Sequence, residues 1–103
     1  MRELYHNVTN NRNNLYGLYL RKKRKELKVT CTQLVIKMQE RGLTEARREF
    51  IYKIERGIRT VNDIEIFTIN RILGLNSAEV EEFIVSEIRR NSERLPENET
   101  EEV

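Results

Sequence analysis

Cations are the side chains with chemistry to offer in this sequence. Arg21-Lys22-Lys23-Arg24-Lys25 is an unbroken basic run, and Arg47, Arg48, Lys53 and Arg56 follow within a second short stretch. Clustered Arg and Lys neutralise phosphates, and both can also bond base edges. The run by itself equally fits a targeting patch or a solvated helix face, since it falls inside a stretch with helical periodicity. Catalysis would need other residues. The one cysteine, Cys31, is far from the one histidine, His6, and there is neither a P-loop nor a Gly-rich dinucleotide turn. No disulfide framework or multi-cysteine zinc site can be built from a single Cys, so no metal or cofactor is expected, and no small-molecule substrate is evident.

The charges are unevenly distributed. Residues 11–60 carry 14 Lys/Arg against 5 Asp/Glu, and residues 61–103 carry 4 against 11, balances of +9 and −7 within a net +2. Such a division lets one half meet an anionic polymer while the other is repelled by it. A chain of 103 residues, 38% apolar, has room for one modest helical core and none for a second catalytic domain. A binding module is therefore expected rather than an enzyme. The N-terminal stretch lacks the apolar core of a secretory signal, and no run approaches the roughly 18 apolar residues of a membrane span. With a lone thiol, this points to a soluble protein of the reducing cytoplasm.

Five short helices are needed to position these groups. Residues 1–13 are Asn-rich and aperiodic, which predicts a flexible N-terminal arm. A first helix from Asn14 to Leu27 places Tyr16, Leu20, the stem of Lys23 and Leu27 on one stripe, with Gly17 weakening its start. Thr30 caps a second, carrying Leu34, Val35 and Met38, that Gly42 breaks. The third runs from about Arg47 to Arg56, with Ile51 and Ile54 inward, a charged outer face, and Gly57 as its stop; Phe50 is either core or exposed. Asn62 or Asp63 caps a fourth, which carries Ile64, Phe67, Ile69, Ile72 and Leu73 and ends at Gly74. Asn76 with Glu79 opens a fifth, whose stripe is Val80, Phe83, Ile84 and Ile88. The domain is thus expected over residues 14–90, with a disordered acidic tail over 91–103.

Two short helices joined by a turn, the second charged on its outer face, suit entry into the major groove. More specific are Leu20, Arg24, Val29-Thr30, Leu34-Val35, Ile51, the string KIERGIRTVNDIEI over residues 53–66, Ile69 and Leu73-Gly74-Leu75. On these residues the stretch from Leu20 to Leu75 resembles the phage-repressor helix-turn-helix family, the Cro and lambda-repressor type. The resemblance implies an all-α, five-helix lambda-repressor-like DNA-binding domain, in which Arg24 and Glu55 form a structural ion pair. It places base contacts at Arg47, Arg48, Glu49, Tyr52 and Lys53, with Glu49 either accepting from cytosine or holding a neighbouring Arg. The sequence departs from the family where Cys31 stands in place of a common phosphate-holding Gln, and in a longer turn over Gln39 to Ala46. Thr30, Thr32 and Gln33 are candidates to take over that phosphate contact, and Arg21, Lys22 and Arg59 complete the expected phosphate set. The function implied is a transcriptional regulator, a repressor, that binds double-stranded DNA as a homodimer, with Phe83 and Val85 as candidate dimer contacts. The competing reading is a protein-interaction module, such as an antitoxin or an antagonist of another regulator, that keeps the fold without DNA.

Overall fold

Three of the five helices start where a side chain at the N-cap supplies a hydrogen bond that the helix end lacks. The computed structural model describes residues 8–93, and within them the chain forms five helices and no strand: α1 (Tyr16–Glu26), α2 (Cys31–Glu40), α3 (Arg48–Glu55), α4 (Asp63–Leu73) and α5 (Ser77–Ser92). Thr30 Oγ1 accepts from the Gln33 amide at 3.0 Å while Gln33 Oε1 accepts from the Thr30 amide at 2.9 Å, a complete capping box on α2. Asn62 and Glu65 do the same for α4 at 2.8 and 3.0 Å, so Asn62 and not Asp63 is the cap. Asn76 Oδ1 accepts from Ala78 and Glu79 amides to start α5. The chain turns through left-handed backbone after α2, α3 and α4 at Gly42, Gly57 and Gly74, where glycine meets no Cβ penalty.

The core lies where α1 packs on α3, α4 and α5, and α2 on α3 and α4. Leu20, Leu34, Met38, Ile51, Ile54 and Ile69 are fully buried there, with Tyr16 and Tyr19 close to it. The Tyr16 hydroxyl donates to Asn70 Oδ1 at 2.6 Å, tying α1 to α4, and burial pushes its pKa well above the usual phenol value.

Several expectations are corrected. Leu27 is half exposed, because α1 ends at Glu26 and the chain turns away before Leu27 can join the stripe. In α4 the buried side belongs to Ile69, with Ile66, Ile72 and Leu73 packed beside it, which leaves Ile64 and Phe67 facing outward. Ile88 lies at the margin of the α5 stripe and is exposed. Phe83 is not free for a partner, since it packs on the core with its ring centroid 5.2 Å from that of Tyr19; Val85 is exposed. The domain extends beyond 14–90 at both ends. Asn91 is buried within α5 and its Nδ2 donates to Val8 O at 2.7 Å, and Arg12 and Asn13 are docked rather than part of a flexible arm. Residues 1–7 of the expected arm, His6 among them, and the acidic tail from residue 94 lie outside the described residues.

Candidate nucleic-acid interface

The basic residues converge on an open cleft where the end of α1 and the starts of α2 and α3 meet, lined by Arg24, Lys25, Lys28, Thr30, Thr32, Arg48 and Tyr52 with Cys31 at its base. Both helix starts contribute the positive end of the helix dipole, so the cleft attracts anions through backbone as well as side chains. A second cleft, lined by Arg21, Lys25, Tyr52 and Arg56, continues it along α3, and Glu49, Lys53 and Ile58 flank Tyr52 and Arg56 on the outer side. Tyr52 stands at the centre of this face, about half exposed.

Lys28 is the residue that local physics would not choose. The Val29 amide donates to Arg24 O at 2.9 Å and the Lys28 amide to Lys25 O at 3.1 Å, the paired bonds of a Schellman end to α1, with Lys28 at φ +60 in the left-handed region. Glycine occupies the equivalent turn after α2, α3 and α4; here a side chain accepts a cost of about 1–2 kcal/mol and carries a cation into the cleft. Lys28→Gly is expected to raise stability by up to about 1 kcal/mol, glycine's greater unfolded-state freedom offsetting part of the relief. If the cleft holds phosphate, the same change weakens DNA binding and lowers the salt slope by about one. Thermal melts and salt titrations of the two proteins check both halves.

Two separate anchors fix the pose of α3. Arg24 Nε and Nη2 donate to Glu55 Oε2 and Oε1 at 2.7 and 3.0 Å, a bidentate pair with side chains 12% and 5% exposed, while Arg24 Nη1 donates to Val29 O at 2.9 Å. The pair holds the Arg24 pKa above its usual value. The second anchor comes from residues 12–14. Arg12 Nη2 donates to Glu55 O at 2.7 Å, the Asn13 amide to Gly57 O at 2.8 Å, and Asn14 Nδ2 to Ile54 O and Arg59 O at 3.1 and 2.7 Å. These donors meet carbonyls at and just beyond the end of α3, of which Ile54 O also accepts from the Gly57 amide at 3.0 Å. Burial lowers the Arg12 pKa from its usual value, with Glu87 opposing. Asn14 Oδ1 also accepts from the Gly17 amide at 2.7 Å and so caps α1 from outside it.

The structure brings together Arg21, Thr30, Thr32, Arg48, Glu49, Tyr52 and Lys53 of the expected contacts on one continuous face. Three others are engaged elsewhere, and a fourth only in part. Arg47 curls back, its Nη1 donating to Thr44 O and Ala46 O at 3.0 and 2.9 Å, and with Gln39 Nε2 on Ala46 O at 2.8 Å it pins the long turn before α3. Gln33 has its oxygen in the capping box, which leaves its Nε2 able to donate at the exposed start of α2. Lys22 points toward α5, 5.9 Å from the Phe83 ring centroid and beside Glu79 and Glu82. Arg59 stacks over the Phe50 ring at 4.4 Å and pairs with Glu65 at 3.4 Å, which holds it to one side of the cleft and makes Phe50 a partly buried support. Lys25 and Lys28, cations of the basic half, also belong to the face, and so does Arg56, which was not among the expected site residues. Arg56 was hidden because it is the C-cap of α3, one residue beyond the helix itself.

The Cys31 thiol is buried, which pushes its pKa up against the opposing pull of Arg24. Among the described residues no three His, Cys, Asp or Glu side chains are grouped as a metal ion would require, and no helix is long and apolar enough to cross a membrane. What the fold and face define is a small all-helical domain with a cation-lined cleft. No protein-family model, curated protein or solved structure matches the chain.

Proposed function

We propose that the chain is a sequence-specific double-stranded DNA-binding regulator of the lambda-repressor-like helix-turn-helix type, with α2 and α3 as the two helices of the motif, and that it represses transcription as a homodimer. The observation that carries the reading is the single basic face on which the first turns of α3 stand beside the cation-lined start of α2. In this arrangement Lys25, Lys28, Thr30 and Thr32 straddle a phosphate strand while Arg48, Glu49, Tyr52 and Lys53 face base edges. The acidic half of the sequence favours the same docking direction. A mixed or neutral face would have supported the protein-interaction reading instead. Repression, rather than activation, follows from the family resemblance.

A mobility-shift assay on mixed genomic fragments at two salt concentrations tests the reading. Contact with about five phosphates gives a log–log slope of about −4.5, a loss of roughly 500-fold in affinity between about 50 and 200 mM salt. A flat salt response counts against DNA altogether. On an isolated site, Arg48→Ala is expected to leave the melting temperature unchanged and to lose about 1–3 kcal/mol of discrimination at one base pair. Uniform weakening across all sequences would instead assign Arg48 to the backbone.

A further inference from the structure

Among the described residues nothing covers the outward face of α4. Ile64 and Phe67 are 61% and 64% exposed, the highest values for any large apolar side chain among the described residues. At 100° per residue both lie across the helix from Ile69, which is fully buried. Arg71 shares their side, with its guanidinium carbon 5.8 Å from the Phe67 ring centroid, and exposed Asp63 begins the same face. Thr68 adds no unmet polar group, since its hydroxyl donates to Ile64 O at 2.8 Å. Along the helix the face therefore reads acid, apolar, apolar, base.

That order is complementary to itself when run antiparallel. A two-fold axis near Phe67 sets Phe67 on the partner's Phe67, packs Ile64 along the aliphatic stem of the partner's Arg71, and brings Asp63 to the guanidinium of the partner's Arg71, with the reciprocal pair at the other end. A parallel alignment would place like charges together. We propose that α4 is the surface through which two copies of this chain pair, by this antiparallel contact. Isologous pairing requires that each residue i meeting j be repaid by j meeting i, and the two Asp63–Arg71 bridges with a central aromatic contact satisfy it. Two apolar side chains per protomer fall well short of the roughly 800 Å² per partner of a standard stable interface, so the DNA-free dimer is weak. Two copies held on adjacent half-sites gain the contact at high effective concentration. That last step deepens the DNA-binding reading and rests on it; the pairing itself does not.

Sedimentation equilibrium of the full chain without DNA, up to about 1 mM, measures the pairing directly. Phe67→Glu is expected to weaken self-association by about tenfold or more. Asp63→Arg and Arg71→Asp should each weaken it by about fivefold, because either swap turns two attractive pairs into two repulsive ones, and the double swap should restore it. Val85→Glu, on the exposed side of α5, should leave it unchanged. Circular dichroism confirms folding, and all four positions are exposed. A chain that stays monomeric throughout the range, dissociation by Val85→Glu alone, or a double swap no better than either single one overturns the α4 contact. Because no DNA is present, these outcomes are independent of a failed mobility shift, which would overturn the DNA reading alone.

Discussion

Gly17→Ala is expected to lower the melting temperature by roughly 10–20 °C, although it replaces a glycine inside a helix with the best helix former. In isolation the change favours α1 by about 1 kcal/mol. The packing outweighs it. A Cβ on residue 17 would stand 2.0 Å from Ile54 O, 2.7 Å from its carbon and 2.9 Å from Asn14 Oδ1. The Ile54 carbonyl cannot swing aside freely, because Asn14 Nδ2 and Arg12 Nη2 both donate to it, at 3.1 and 3.3 Å. The clash is with backbone, so α1 and α3 must separate. Overpacking of this kind costs about 1–3 kcal/mol and occasionally more, and a backbone obstruction held by two donors belongs at the upper end. A domain of this size loses about 4–8 °C per kcal/mol. Thermal melts followed by circular dichroism decide the matter, and a change of under 3 °C would show that α1 and α3 slide past one another at little cost.

Arg24→Ala should be at least as damaging, by about 3–5 kcal/mol, since it strands the Glu55 carboxylate in the core with no cation to meet it. The geometry supports the upper part of that range: both oxygens are engaged, and the carboxylate side chain is 5% exposed. Arg24→Lys keeps the charge but not the planar fork, and recovers only part of the loss. The informative control is the double change Arg24→Met with Glu55→Leu, which removes both charges and should be far more stable than Arg24→Ala, because the penalty lies in the unpaired group rather than in the lost attraction. If the single and double variants melted together, the pair would be contributing packing and not electrostatics.

Local punctuation was readable from the chain alone, because caps and stops act over three or four residues. Thr30, Asn62 and Asn76 at helix starts and Gly42, Gly57 and Gly74 at helix ends all lie where short-range hydrogen-bonding chemistry puts them. Ile51 and Ile54 declared themselves by spacing. The orientation of α4 did not: with apolar residues at 64, 66, 67, 69, 72 and 73, both sides of that helix offer a stripe, and only the neighbours select one. Long-range pairing was illegible for a different reason. Arg24 and Glu55 are 31 residues apart and Asn14 and Ile54 are 40 apart, so their connection entered through family resemblance in the first case and not at all in the second. An Asn-rich stretch has the same composition whether it is loose or clamped. Arg47, Lys22 and Arg59 show the corresponding limit for the face, since charge can be counted from sequence while the direction of a side chain depends on which acceptor or ring lies within reach.

The fastening of α3 by residues 12–14 bears on how the molecule melts. An eight-residue helix has no appreciable stability in water by itself, and its terminal carbonyls accept from donors that arrive from 40 or more residues earlier in the chain. The basic face and the hydrophobic centre therefore form one cooperative unit. Native-state hydrogen exchange should report α3 and α1 opening with the same free energy, in a single global event, and there is no partly folded species in which the centre survives while the face has come apart.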